Sequence, residues 1–154
     1  MQRQKITTFF WFETQAEAAA KFYVDLFAPR SRIISTDRFG DSVMSVSFEL
    51  EGQRYVALNG NTKFKFNDSM SLLVSCDGQA EVDLLWDKLL AEGGTPTQCG
   101  WLKDRFGVSW QVIPEGLMKA LHDPDPAKAG RVMKAFRGMK KIDLAALERA
   151  RKES

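Results

Sequence analysis

One segment of the chain occurs twice, and this repeat constrains the fold more than any other feature of the sequence. Residues 14–27 read TQAEAAAKFYVDLF, and residues 78–91 read GQAEVDLLWDKLLA. The two copies share a Gln-Ala-Glu start, and a constant offset places Phe22 of the first copy on Trp86 of the second. The same offset relates the helix-start residues and the apolar positions of the two copies. Such a duplication predicts a fold built from two similar units.

Each copy has the pattern of an amphipathic helix that lies between β-strands. Apolar residues recur at intervals of three and four, and Thr14 with Glu17 predicts a capping box at the start of the first helix. Runs rich in β-forming residues precede and follow each helix, separated by turn signals. The runs are KITTFFWFE, RIISTDR, SVMSVSFELEG and QRYVALNG around the first copy, and SMSLLVSC, TPTQCGWLKD and VSWQVIP around the second. The sequence therefore predicts an α+β fold of two βαβββ modules, at about residues 6–60 and 69–113, with the second module shortened.

A helical extension is predicted after the second module. The segments DPDPAKAGRVMKAF and KIDLAALERARK have helical periodicity, and their prolines suit a helix start. The apolar stripe of the second segment must cover either the domain's own edge or a partner subunit. We therefore expect one domain over residues 1–114, which contains both modules, and a C-terminal helical extension over residues 115–154.

Composition and charge exclude several classes of protein. The 154-residue chain has a formal net charge of +2 with mostly scattered basic residues, which does not favour a nucleic acid partner. No apolar run approaches the roughly 18 residues of a membrane span, and the N-terminus lacks the apolar core of a signal peptide. Cys76 and Cys99 lie in apolar, strand-like segments, which favours buried thiols over a disulfide. We expect a cytoplasmic protein with no nucleic acid and no membrane partner.

Several segments make the chain similar to a known family. WFETQAEAAAKFY, ALNGNTKFKFNDSMSLLVSCDGQAEVDLLWDKL, QCGWLKDRFGVSWQVIP and DPDPAKAGRVMKAF…KIDLAALERA resemble the PhnB-like branch of the glyoxalase/bleomycin resistance/dioxygenase (vicinal oxygen chelate) superfamily. This branch is often labelled 3-demethylubiquinone-9 3-methyltransferase, and the resemblance spans about residues 6–150. It implies that the modules form a half-open glyoxalase-like barrel around a cavity, within a homodimer. In metal-using relatives, four side chains, typically His and Glu, hold one divalent ion in that cavity.

The resemblance places those four ligand positions on residues that are poor metal ligands. They fall on Thr7 (or Thr8, if the register slips by one), Asn59, Ser71 and Gln111. Hydroxyls and neutral amides are weak ligands for Zn, Ni and Fe(II), which prefer imidazole, thiolate or carboxylate. The chain has a single histidine, beyond the last strand. We therefore expect no metal and no other cofactor.

Alternation along the strands predicts which side chains face the cavity. In the last strand, Trp110 and Val112 are predicted to face the helix, which turns Ser109 and Gln111 towards the cavity. In the strand that ends the first module, Tyr55 and Asn59 are predicted to face the cavity, opposite to their aliphatic neighbours.

Four aromatic residues complete the set of candidates. Phe9, Trp11, Tyr55 and Trp101 either line a pocket for a ring-bearing ligand or fill the barrel as core. The ligand-binding candidates are Thr7, Phe9, Trp11, Tyr55, Asn59, Ser71, Trp101 and Gln111. No catalytic residue is assigned.

Three functions stay open at this point. The preferred hypothesis is a metal-independent protein that binds a small, aromatic or amphipathic molecule in the cavity. The second is an enzyme (a lyase, isomerase or transferase) that uses Asn59, Gln111 and Tyr55 as hydrogen-bond donors to an oxyanion. The methyltransferase label has no support from residues, because no glycine-rich turn follows the first strand. The third is a non-catalytic interaction protein.

The segment GWLKDRFG has two interpretations. It is either a simple hairpin turn or a segment in which Asp104 acts as a general base.

Overall fold

The computed structural model describes residues 4–153, and the chain divides into two compact units after residue 64. The first unit contains one four-stranded sheet and one helix. Its elements are β1 (Thr8–Phe12), α1 (Ala16–Leu26), β2 (Ser31–Phe39), β3 (Ser42–Leu50) and β4 (Gln53–Asn59). The strand order is β1-β4-β3-β2, with β1 parallel to β4 and the other neighbours antiparallel. The β3–β4 turn contains Glu51 and Gly52, both in the left-handed region.

The second unit repeats this arrangement with shorter strands. Its elements are β5 (Leu72–Cys76), α2 (Gln79–Leu90), β6 (Thr95–Pro96), β7 (Trp101–Lys103) and β8 (Ser109–Pro114). The order β5-β8-β7-β6, with β5 parallel to β8, is the order of the first sheet. The predicted α+β class and the duplicated βαβββ module are confirmed.

Each sheet has a helix face, which packs against its own helix, and an open face on the opposite side. On the helix face of the first sheet, Phe10, Phe48 and Ala57 are buried against Tyr23 of α1. On the helix face of the second sheet, the buried residues are Cys76, Leu102, Trp110 and Val112, opposite Val82, Leu85, Trp86 and Leu89 of α2. Burial of these apolar side chains fixes each helix on its sheet.

The C-terminal extension packs on the second module and not on a separate body. It consists of α3 (Leu117–Leu121), α4 (Pro126–Arg137) and α5 (Leu144–Lys152). Gln79, at the start of α2, donates to the carbonyl of Ile142 (2.9 Å) and accepts from the amide of Leu144 (2.9 Å). The core residues of the extension are Leu117, Val132, Ile142 and Leu147, with Ile113 of β8 packed against them. The apolar stripe therefore covers the module's own edge; the short α3 was not predicted.

Asp104 organises the hairpin between β7 and β8. Its carboxylate is only 3% exposed and accepts from the backbone amides of Phe106 (2.9 Å) and Val108 (3.0 Å). It also accepts from Nε1 of Trp110, at 2.9 Å. The hairpin turn predicted from GWLKDRFG is confirmed, and the carboxylate of Asp104 is engaged in holding it.

Both cysteines are free thiols in this fold. Cys76 is buried, and burial, followed by the nearby charges of Glu81 and Asp77, raises the pKa of its thiol to about 12. Within residues 4–153, none of the helices combines the length and apolar character needed to cross a membrane.

Candidate ligand-binding site

The open face of the second sheet brings three of the candidates together. Trp101 of β7 and Leu73 of β5 are the register partners of Gln111 on either side of β8, so the three side chains lie in one row. The amide of Gln111 donates to the hydroxyl of Ser71 at 2.9 Å. This face therefore carries an indole and an exposed leucine beside a paired amide and hydroxyl. The predicted orientation of Gln111, away from the helix, is confirmed.

The same face carries a polar cluster that the sequence did not reveal. Lys103 and Ser109 form the next register pair along β7 and β8. Asp68, from the segment before β5, lies 3.1 Å from Nζ of Lys103 and 3.0 Å from Oγ of Ser109. The bond from Lys103, with that from Ser109, holds the pKa of Asp68 below its usual range. Alternation placed Ser109 on this face, but no local pattern indicated its partner.

On the first sheet, the open face is aromatic at one edge. Phe9 and Trp11 of β1 point away from α1 and are 57% and 42% exposed. The indole of Trp11 lies against Gly60, where a Cβ would collide with the ring, and its centroid is 5.6 Å from that of Phe64. Thr7 is exposed and precedes the first residue of β1. Phe9 and Trp11 are thus surface aromatics of their unit and not core.

Tyr55 and Asn59 lie on the helix face, so their predicted orientation, away from the helix, is wrong. The ring of Tyr55 is stacked between Phe10 (5.9 Å between centroids) and Phe48 (5.4 Å), and burial raises the pKa of its phenol. Asn59 accepts from the amide of Ala16, at 2.8 Å, and donates to the carbonyl of Val43, at 3.1 Å.

Asn59, on strand β4, therefore caps the start of α1. A helix leaves its first amides without internal partners, and here the side-chain oxygen of Asn59 accepts the hydrogen bond from the first of them. The capping box predicted from Thr14 and Glu17 is wrong: the helix begins at Ala16, its N-cap has no side-chain hydrogen bond, and Glu17 pairs with Lys21 and Arg38.

The four positions that the resemblance assigns to metal ligands do not suit a transition metal. Thr7 is exposed, Asn59 is used at a helix start, and Ser71 and Gln111 bond to each other. These hydroxyls and amides lack the negative charge or imidazole nitrogen that such ions require. Among residues 4–153, no three His, Cys, Asp or Glu side chains are grouped so that they hold an ion.

A cleft of about 350 Å³ lies between the first half of α4 and the C-terminal end of α5. Its lining residues are Lys128, Arg131, Arg151, Lys152 and Glu153. Acidic side chains neutralise most of this positive charge, because Arg151 pairs with Asp123 and both Arg151 and Lys152 pair with Glu148. The guanidinium of Arg131 donates to the last carbonyls of α5. Arg131, Arg151 and Lys152 are thus already bound to acidic side chains or to the C-terminal carbonyls of α5, an end of the helix that positive charge stabilises. The cleft is therefore not a candidate site.

Comparison with known proteins decides the family. The sequence model of the family described as 3-demethylubiquinone-9 3-methyltransferase matches residues 4–113. The chain belongs to this PhnB-like family. The PhnB protein from Bacillus cereus is 35% identical, with a TM-score of 0.67, and the match covers 72% of this chain and 99% of that one. Among curated proteins, none matches the chain significantly.

More distant structures share the fold. Protein PA1353 from Pseudomonas aeruginosa is 22% identical (TM-score 0.61), and the match covers 73% of this chain and 98% of that one. The fosfomycin resistance protein FosX from Mesorhizobium loti is 13% identical (TM-score 0.56), with 80% of this chain and 100% of that one covered. The PhnB-like match ends at residue 113, before the helical extension. The match therefore does not include the extension segments of this PhnB-like chain, over which the resemblance was expected to continue to about residue 150.

Proposed function

We propose that this protein binds a small aromatic or amphipathic molecule on the open face of its second sheet, without a metal ion. One observation carries the proposal: the neutral amide of Gln111 and the hydroxyl of Ser71 lie beside the indole of Trp101. The resemblance assigns Gln111 and Ser71 to positions that hold metal ligands in metal-using relatives. An aromatic wall with a few polar groups that fix orientation is the usual composition of a small-molecule site.

The hypothesis of an enzyme that stabilises an oxyanion requires three hydrogen-bond donors, and two of them do not face the open side of a sheet. The amide of Asn59 is engaged with Val43, and Tyr55 is stacked on the helix face. Gln111 alone remains on an open face. Binding is therefore the function that the arrangement supports best. We further propose that the protein is cytoplasmic, a location that two free thiols favour, and that it forms a homodimer.

A thermal-shift screen of small aromatic compounds, run in EDTA, tests the proposal. A compound at a hundred times its Kd stabilises the native state by about 2.7 kcal/mol, which raises Tm by about 5–10 °C for a chain of this size. Substitution Trp101→Leu removes the stacking surface, and we expect Kd to rise about three- to tenfold. Gln111→Leu removes the orienting amide and should weaken binding as well.

Phe39→Ala is the matched control, because it removes an exposed aromatic ring from the end of β2, in the first module. It should leave Kd unchanged. A screen without a single stabilising compound, or hits that bind Trp101→Leu as tightly as the unsubstituted protein, would contradict the proposal. A hit that stabilises only after a divalent ion is restored would contradict metal independence.

A further inference from the structure

A carboxylate already occupies one position on the open face of the second sheet. Oδ1 of Asp68 lies 3.1 Å from the ammonium of Lys103 and 3.0 Å from the hydroxyl of Ser109. Lys103 and Ser109 are register partners on neighbouring strands, so their side chains point to the same side. The two donors thus converge on one oxygen, in the manner of a site for a carboxylate.

The carboxylate of Asp68 is the replaceable member of this group. Its side chain is 60% exposed and that of Lys103 is 38% exposed, whereas Ser109 is only 2% exposed. An exposed ion pair contributes little stability, so the exchange of Asp68 for another carboxylate changes the free energy of the protein little. The hydroxyl of Ser109 has a second acceptor, the carbonyl of Asn67 at 3.4 Å, and stays partnered when Asp68 leaves.

Trp101 and Gln111 lie directly beside this position. Each is two residues from Lys103 or Ser109 along its strand, which separates the two register pairs by about 6.6 Å. Lys103 is also the one charged residue that strands β5 to β8, all within the described part of the chain, turn to this face. A ring stacked on Trp101 would therefore have an acidic substituent within reach of Lys103.

We propose that Lys103 and Ser109 form a carboxylate subsite, which Asp68 fills in the free protein and which the acid group of an aromatic carboxylic acid takes over on binding. This inference rests on the proposed function, since it assigns the class of ligand to the same face. In this proposal Asp68 competes with the acid group of the ligand for Lys103 and Ser109, and this competition sets the affinity of the protein for the acid.

The subsite is tested first with acetate alone, at constant ionic strength, by its effect on the backbone NMR signals of the protein. In Asp68→Ala the subsite is empty, and acetate should shift the signals of Lys103 and Ser109 with saturation. In the unsubstituted protein the same shifts should need about threefold more acetate. In Asp68→Ala/Lys103→Gln they should vanish. Equal titrations with and without Asp68, or no shift at these residues in Asp68→Ala, would overturn the inference.

The link to the ring site is tested with indole-3-acetate and its neutral counterpart, indole-3-acetamide. We expect the acid to bind more tightly than the amide, Lys103→Gln to abolish that preference, and Asp68→Ala to strengthen the acid about threefold while leaving the amide unchanged. Lys119→Gln, an exposed lysine on α3, is the control for loss of one positive charge and should change neither.

The outcomes separate this inference from the proposed function. If both compounds bind with equal affinity at Trp101, the proposed function stands and the carboxylate subsite is wrong. If neither compound binds and the thermal-shift screen finds no ligand, the proposed function is wrong. In that case the acetate titration still decides whether Lys103 and Ser109 bind a carboxylate.

Discussion

Replacing Asp104 by alanine should lower the free energy of unfolding by about 3–5 kcal/mol, because a buried indole N–H and two backbone amides lose their common acceptor. The carboxylate is 3% exposed and accepts from Trp110, Phe106 and Val108. Loss of these bonds leaves donors without partners inside the second module. Urea unfolding followed by tryptophan fluorescence measures the change.

Two variants separate the role of Asp104 from a general effect of lost charge. Asp104→Asn keeps one side-chain oxygen and should be destabilised less than Asp104→Ala. Asp87→Ala removes an exposed carboxylate from α2 and should change stability by less than about 0.5 kcal/mol. If Asp104→Ala unfolds at the same urea concentration as the unsubstituted protein, the carboxylate does not hold the hairpin.

Truncation of Leu147 to alanine should destabilise the second unit by about 2–5 kcal/mol, the usual range for a buried leucine. Leu147 is 1% exposed and belongs to the core that the extension shares with β8 through Ile113. The tryptophans of this unit, Trp86, Trp101 and Trp110, all lie outside the extension. Their fluorescence therefore reports whether the loss of packing in α5 reaches the module.

Leu84→Ala is the control for that experiment, since Leu84 is an exposed leucine of α2. It should change the midpoint of unfolding little. If Leu147→Ala leaves the tryptophan transition unchanged while helical circular dichroism is lost at lower urea, the extension unfolds independently. That result would contradict its assignment to the same compact unit as the second module.

The duplicated architecture was accessible from the sequence because two signals agreed. The helical repeats recur at a constant offset, and each is surrounded by strand patterns, so two modules with the same strand order follow. In β8 the helix-facing set, with Trp110 and Val112, is far more apolar than the set with Ser109 and Gln111. A clear difference of this kind fixes the faces of a strand.

The faces of β4 could not be read in the same way. Val56 and Leu58, which are more apolar, lie on the open face, whereas Tyr55 and Asn59 lie on the helix face. Tyr55 is accommodated by stacking on two phenylalanines, and Asn59 by two backbone hydrogen bonds. Both partners come from distant parts of the chain, and alternation contains no information on them.

The contact of Asp68 with Lys103 and Ser109 was out of reach for a related reason. It depends on the path of the segment before β5, which has no periodic pattern of its own. The sequence also did not determine which surface the C-terminal helices cover. An apolar stripe indicates that a helix packs against another surface, but it does not identify that surface. The structure resolves this through Gln79, which ties α2 to the start of α5.

Metal-free binding at the open face of the second sheet is tested most directly by an NMR titration in EDTA. The ligand is the compound that gives the largest thermal shift, added to protein stripped of divalent ions. We expect saturable shifts of the signals of Trp101, Lys103 and Gln111, with Kd unchanged when Zn, Ni or Mn is restored. Shifts confined to residues elsewhere, or binding that appears only with one of these metals, would contradict the proposal.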